Sequence, residues 1–392
     1  MGTPLAFAPW PVHGPDEIEA VSRVLASGRT NYWTGTEGRE FEREFAAFAG
    51  TSHAVALFNG SVAIELALEA LGIEAGEEMI TTPRTFIASA SSAAIRGIKP
   101  VFADVDRDSG NITPETVARA ITPKTRAVLA VHLAGWPCDV AGIRAAVRGR
   151  DIAVIEDCAQ AHGATVGGQP VGGLGDAAAW SFCQDKIMTT GGEGGALTLN
   201  DEAAWRSAWS YKDHGKSYAA VYEREHAPGF RWLHESLGTN WRMTEMQAAI
   251  GRAQLTKMPS WTAARRKNWN TLRGALSGLD AVRVPTPEPN LGHAAYKFYA
   301  YVRPEALKAG WTRDRIMTLI AERDVPCFSG SCSEVYLEKA WDGLGVRPEA
   351  SLPVARELGE TSLMFLVHPT LTEASITHAG RVAREILTEA TR

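Results

Sequence analysis

Cysteine is scarce in this chain. Five residues in 392 are widely scattered, and their number is odd. That excludes a disulfide framework and suits a reduced, cytoplasmic protein. Long apolar runs are missing too. No window approaches the roughly eighteen apolar residues of a membrane helix. The opening stretch, MGTPLAFAPWPVHGP, has no basic segment followed by an apolar one, so no signal peptide is expected. Ala6 stands where a myristoylation signal wants Ser or Thr. Charge of one sign never accumulates. A net charge of −5 without blocks of like charge excludes a nucleic-acid groove and a polybasic membrane face.

Several cofactor signatures are absent as well. No Gly-Lys-Ser/Thr closes a glycine run, so there is no P-loop. Residues 173–178, GLGDAA, formally match GxGxxA. They follow a glycine-rich turn and precede a strand-like run, which is the wrong context for a nicotinamide fold. Cys158 with His162, and Cys327 with Cys332, lack the second pair that a zinc site needs, so no metal is expected.

What is present is an ordinary globular composition, 45% hydrophobic and 22% charged, with length for two or three domains and a large core. From about residue 53, short apolar runs alternate with helical patterns. HAVALF, EMITTP, KPVFADVD, RAVLAVHL and DIAVIEDCA read as strands, and SVAIELALEALGI and FIASASSAAIRG as helices. TPETVARAI opens a helix with Thr113 as cap and Pro114 first. The runs are nearly continuous Val, Ile, Leu and Ala. That predicts strands buried on both faces, hence a mostly parallel sheet. Thr244 and Gln247 have capping-box spacing at the start of a long helix. Beyond it, YKFYAYV, RDRIMTLIAERDV and THAGRVAREILTEA suggest a smaller α+β unit. The expected division is a large α/β domain over 1–250, with an N-terminal arm over 1–50, and a small domain over 251–392.

Ligands of open α/β sheets bind beyond the carboxyl ends of the strands. AVIED places Glu156 and Asp157 there, as site acids or as turn caps. FNGSVAIEL makes a Gly-Ser turn at a helix start, where backbone N–H groups and the Ser61 hydroxyl suit an anion. Lys186 sits between a strand-like run and four glycines, flanked by Phe182 and Ile187. Partial desolvation there would free a nucleophilic amine. Such an amine condenses with aldehydes, and the common aldehyde cofactor is pyridoxal 5'-phosphate (PLP). PLP also wants a phosphate cup, an acid for its ring nitrogen and an aromatic face for its ring.

With these parts assembled, the chain resembles the DegT/StrS family of PLP-dependent sugar aminotransferases. The resemblance runs through NYWTGTEGREFEREFAAFAG, TPRTFIASA, VIEDCAQAHGA, GDAAAWSFCQDKIMTTGGEGGALTLND and GTNWRMTEMQAAIG. It implies the aspartate aminotransferase type of fold, with a mostly parallel, seven-stranded type of sheet flanked by helices. Lys186 matches the lysine that holds PLP, and Asp157 the acid on its pyridine nitrogen. Gln160 matches a residue beside the ring, and Phe86 the aromatic stacked on it. Gly60, Ser61, Val62 and Ser181 match the phosphate cup, with Ser61 where the family usually has Thr. Asn240 matches an asparagine that reaches the phosphate of the neighbouring subunit, implying a homodimer with shared active sites. The implied reaction moves an amino group from glutamate or glutamine to a keto-sugar, with the pyridoxamine phosphate form in the cycle. A nucleotide-linked keto-sugar is the expected acceptor. A cyclitol ketone, or a PLP-dependent sugar dehydratase, is the alternative. Tyr32, Trp33, Thr34, Lys212, His214 and Arg231 are candidate acceptor contacts. The stretch CFSGSCSEVYLEK matches no motif of the family.

Overall fold

A computed structural model describes residues 7–392. Residues 1–6, including Ala6 and the start of the N-terminal arm, lie outside it. The central sheet has seven strands. In spatial order they are His53–Leu57, Gly195–Leu199, Ala177–Ser181, Ala153–Asp157, Thr125–Val131, Glu78–Thr81 and Lys99–Phe102. Gly195–Leu199 is antiparallel to both neighbours, and the other pairings are parallel. The strands alternate between two packed faces. Ala127 and Leu129 enter one core while Val128 and Ala130 enter another. Burial on both sides explains why these runs are apolar throughout rather than alternating.

Local chemistry sets the helix starts. Thr113 caps Pro114–Ala120 by accepting the Thr116 N–H, with Pro114 at the first position, as expected. The Thr244–Gln247 capping box opens Glu245–Leu276. This 32-residue helix leaves the large sheet for a second one. That sheet is antiparallel, ordered Val282–Arg283, Lys297–Val302, Ser362–Leu366 and Cys327–Phe328. Helices Arg313–Ala321 and Glu373–Ala390 share its separate core. Among the described residues no helix is long and apolar enough to cross a membrane.

Candidate active site

Asp157 ends the central strand of the large sheet and is buried. The Ser89 hydroxyl donates to its Oδ2 at 2.7 Å, and the Ala159 N–H to its Oδ1 at 3.1 Å. Thr85 and Ser89 Oγ atoms lie 2.8 Å apart. Ser89 spends its proton on Asp157, so Thr85 is the donor of that pair. A hydroxyl relay from the next βα connection thus fixes the carboxylate. Glu156, one residue earlier, faces the opposite side of the sheet. Its Oε1 accepts the Leu174 and Gly175 N–H groups at 2.8 and 2.9 Å. Its Oε2 accepts the Gly172 N–H at 3.0 Å and meets His132 Nε2 at 3.0 Å. Burial works to raise the Glu156 pKa, but His132 and the backbone donors outweigh it and hold the group below the ordinary carboxylate range. Candidate ligand atoms of His132, Glu156 and Cys158 lie within 4.8 Å of one another. The Glu156 oxygens are saturated, and His132 Nδ1 accepts the Cys138 N–H at 2.9 Å. His132 and Glu156 are therefore engaged with each other and with backbone donors.

The expected anion cup falls at the start of helix Gly60–Ala70. A Cβ on Gly60 would fall 2.6 Å from Ser181 Cβ, so glycine lets the helix start press against the end of strand Ala177–Ser181. Ser61 and Ser181 are thereby brought to one place. Val62 differs from the expectation. Its N–H is already taken by the Asn59 cap, at 3.0 Å from Oδ1, and does not face open space.

Lys186 follows Ser181 in a turn and is half-buried. Its carbonyl accepts the Trp10 indole N–H at 2.8 Å. The expected flanking by Phe182 and Ile187 is not what the fold makes: both enter the core. The aromatic ring that meets the amine is Tyr296, with Lys186 Nζ 5.5 Å from its centroid. Tyr296 donates its hydroxyl to Asp185 Oδ2 at 2.5 Å. The glycine cluster shapes the backbone behind the lysine. Gly191 and Gly192 take φ of 88° and 121°. A Cβ on Gly195 would lie 2.2 Å from the Asn59 carbonyl oxygen, so that glycine lets the next strand close against the cup. Behind Lys186, His162 is fully buried against Trp180 and Phe182. Burial, then the charges of Lys186 and Arg265, push its pKa down to about 3.

Gln160 accepts the Ala134 N–H at 2.7 Å through Oε1, and Ala134 sits in the left-handed region at φ 56°. Phe86, just after Thr85, is 69% exposed despite being a large apolar ring beside a buried carboxylate relay. Asn240 is exposed and bridges Asp213 through the backbone.

The acceptor set divides. Tyr32 and Lys212 are buried. Lys212 Nζ sits 3.5 Å from the Tyr32 ring centroid and 5.5 Å from that of Trp209. Thr34, His214 and Arg231 are exposed, and Trp33 is partly exposed beneath Lys216. Sequence reasoning missed Thr85, Ser89 and Tyr296. Ser89 lies in a run of small residues that no periodicity marks, and Tyr296 comes from the other sheet's strand region.

These residues fit PLP: an amine, a buried carboxylate held by donors, hydroxyls at a helix start, and an uncovered aromatic ring, all from different connections at one sheet edge. Comparison with known proteins agrees. Residues 11–384 match the model of the DegT/DnrJ/EryC1/StrS aminotransferase family. The chain is 34% identical over 352 residues to dTDP-3-amino-3,4,6-trideoxy-alpha-D-glucose transaminase of Streptomyces venezuelae, covering 90% of this chain and 87% of that one. It is 35% identical over 315 residues to L-glutamine:2-deoxy-scyllo-inosose aminotransferase of Streptoalloteichus tenebrarius, covering 78% and 73%. The crystal structure of an aminotransferase from Psychrobacter cryohalolentis superposes with a TM-score of 0.97 at 57% identity, covering 98% of this chain and all of that one. The chain belongs to the DegT/DnrJ/EryC1/StrS aminotransferase family, whose members depend on PLP.

Proposed function

We propose, with that membership as premise, that this aminotransferase moves the amino group of glutamate or glutamine to a keto-sugar, most simply a nucleotide-linked one. The observation that carries the reading is the convergence of Lys186, the Ser89-held Asp157 and the Gly60–Ser61–Ser181 cup at the carboxyl edge of one sheet.

In this reading Lys186 Nζ is the covalent anchor of PLP. As a free amine, Lys186 Nζ would take the proton from the donor α-carbon. In the second half-reaction it returns a proton to the carbon that becomes the amine-bearing centre. A base held over the reacting carbon contributes about 10²–10⁴-fold to such steps. Asp157 would face the ring nitrogen, and the Ser89 hydroxyl, itself held by Thr85, keeps the Asp157 carboxylate aimed. Ser61 and Ser181 would hold the phosphate with Gly60, Phe86 would cover the ring, and Gln160 would lie beside it. When bound, PLP supplies the aldehyde that accepts the donor's amino group and, as pyridoxamine phosphate, yields it to the ketone, with the ring as electron sink.

The exposure of Asn240 supports a role across a homodimer interface, at the phosphate of the neighbouring subunit. The separate cores of the two sheets support a large PLP-binding domain over 1–250 and a small one over 251–392. Five free cysteines support a reducing, cytoplasmic setting. Of the acceptor contacts, the exposure of Thr34, His214 and Arg231 and the partial exposure of Trp33 support this proposal more directly than the buried Tyr32 and Lys212 do.

Purified protein should be yellow, and borohydride should fix a pyridoxyl group on Lys186. Glutamate or glutamine should bleach the visible band with release of a 2-oxo acid. A panel of nucleotide-linked keto-sugars, with a cyclitol ketone beside them, should restore it. A colourless protein that PLP cannot reconstitute overturns the reading. A yellow protein that no amino donor bleaches overturns its transaminase half.

A further inference from the structure

The turn that carries Lys186 is pinned on both flanks. Before it, the Cys183 N–H donates to Ser181 Oγ at 3.3 Å. After it, the Thr189 N–H donates to Gln254 Oε1 at 2.9 Å, and the Thr189 hydroxyl to the Phe182 carbonyl at 2.9 Å. At the tip, the Lys186 N–H closes on the Cys183 carbonyl at 3.0 Å. The partner of the Lys186 carbonyl comes from the far end of the chain. It is the Trp10 indole N–H, 176 positions away in sequence and 2.8 Å away in space. Among the described residues the Lys186 carbonyl accepts no other hydrogen bond.

Three side chains hold Trp10 for that contact. Trp261 and Arg265 stand one turn apart on one face of helix Glu245–Leu276. The Trp261 ring meets the indole edge-to-face at 5.0 Å, and the Arg265 guanidinium lies 4.9 Å from the indole centroid. His368, just beyond strand Ser362–Leu366, stacks on the indole at 6.0 Å. The backbone is tied as well. The Thr370 hydroxyl donates to the Pro9 carbonyl at 2.9 Å, which leaves His368 Nδ1 as the donor of its 2.8 Å contact with Thr370.

Arg265 explains why an indole suits this place. It is fully buried. Its Nη1 reaches the Tyr296 carbonyl at 3.4 Å, and its Nε and Nη2 have no hydrogen-bond partner. A buried guanidinium so short of acceptors gains from the π face of an indole. A cation over that face in turn strengthens the indole N–H as a donor. Tyr296, which Arg265 touches, is the ring that meets the Lys186 amine and donates to Asp185. One buried cluster thus grips Lys186 by its carbonyl and by its neighbour.

A lysine side chain is long and flexible, so the reach of its amine starts from the direction in which Cα–Cβ leaves the backbone. Misplacing a reacting group by about 1 Å can cost about 10²-fold in rate. Trp10 precedes residues 11–384, which match the family model, so this contact lies outside the pattern that identifies the family. We propose that Trp10 is a positioning residue for Lys186. Its N–H fixes the Lys186 carbonyl and thereby aims the amine at the carbons between which it moves protons. The proposal rests on the transamination reading.

Trp10→Phe keeps a ring against Trp261, His368 and Arg265 and removes the N–H. In the protein without PLP, hydrogen exchange over residues 184–188 should quicken about fivefold, as the loss of one hydrogen bond predicts. In the PLP-loaded protein, kcat per bound PLP should fall at least about fivefold, with the donor KM unchanged. Thr370→Val frees the Pro9 carbonyl and spares the indole. It should shift exchange and kcat the same way by less, and it decides the matter if Trp10→Phe fails to fold. Unchanged exchange, or an unchanged kcat per bound PLP, overturns the proposal. Less bound PLP at the wild-type kcat per PLP is the mark of a merely structural role and overturns it too. The exchange reading needs neither PLP nor turnover. If no amino donor bleaches the wild type, the transamination reading fails, and exchange still reports whether Trp10 holds the lysine's turn.

Discussion

Lys186 and Lys212 look alike in sequence, each a lysine beyond an apolar stretch and before a glycine, and the fold makes opposites of them. Lys212 is fully buried over Tyr32 and Trp209. The Tyr32 hydroxyl donates to Glu42 at 2.9 Å, and Arg242 pairs with Asp213 at 2.6 Å, while Lys212 Nζ itself has no hydrogen-bond partner and rests on the Tyr32 ring. Burial lowers the Lys212 pKa, while Glu42 and Asp213 oppose that shift. Lys186 keeps a path to solvent, and the groups that converge near it offer hydroxyls, a carboxylate and an open aromatic ring. A buried lysine with its own counter-charges is structure. A half-exposed one beside hydroxyls, a carboxylate and an open ring is the candidate reagent.

Removing each lysine in turn tests that contrast most severely. Lys186→Met should leave the fold intact and lower turnover at least about a hundredfold, with no borohydride-fixed cofactor. Activity kept in that variant would dissolve the contrast. Lys212→Met should do the reverse. Loss of a buried cation beside two acids costs about 3 kcal/mol, read as a lower urea midpoint, while the folded fraction still turns over.

Two smaller effects sharpen the Lys186 side. Ser89→Ala removes one hydrogen bond to Asp157, worth about 1 kcal/mol. It should lower kcat several-fold with the donor KM little changed. An unchanged kcat would show that the relay does not act through Asp157. His162 should respond to acid. Its folded pKa of about 3 lies below the ordinary 6.5, so between those values the unfolded chain binds a proton that the folded one refuses. Stability then falls as pH drops through that window. His162→Leu should flatten the fall, seen as a shallower pH dependence of the urea midpoint. The same slope in variant and wild type would assign the acid sensitivity to other groups.

The contrast also marks what could be read in advance. The parallel sheet was legible because burial on both faces leaves an unbroken apolar record in each strand. The caps at Thr113 and Thr244 were legible because each is satisfied within four residues. Lys186, Asp157 and the Gly60–Ser61 turn were legible because each follows a strand in sequence. Glu156 and Asp157 could not be ranked, since the strand sends neighbours to opposite faces and the text does not say which face holds the site. Ser89, Tyr296 and Arg84 were invisible because the groups they meet come from other elements: Asp157, Lys186, and Ser333 with Tyr299 and Tyr301.

By itself, the sequence determined the fold class, the order of its strands along the chain and the family, and it singled out Lys186 as the candidate lysine. These rest on local periodicity, turn chemistry and motifs in fixed order. Only the tertiary structure decided which lysine is sealed and which is open, which of two adjacent acids is saturated, and which buried guanidinium nitrogens, those of Arg84 among them, lack a partner. Those outcomes depend on contacts between residues far apart in the chain, and burial and counter-charge exist only once such contacts form.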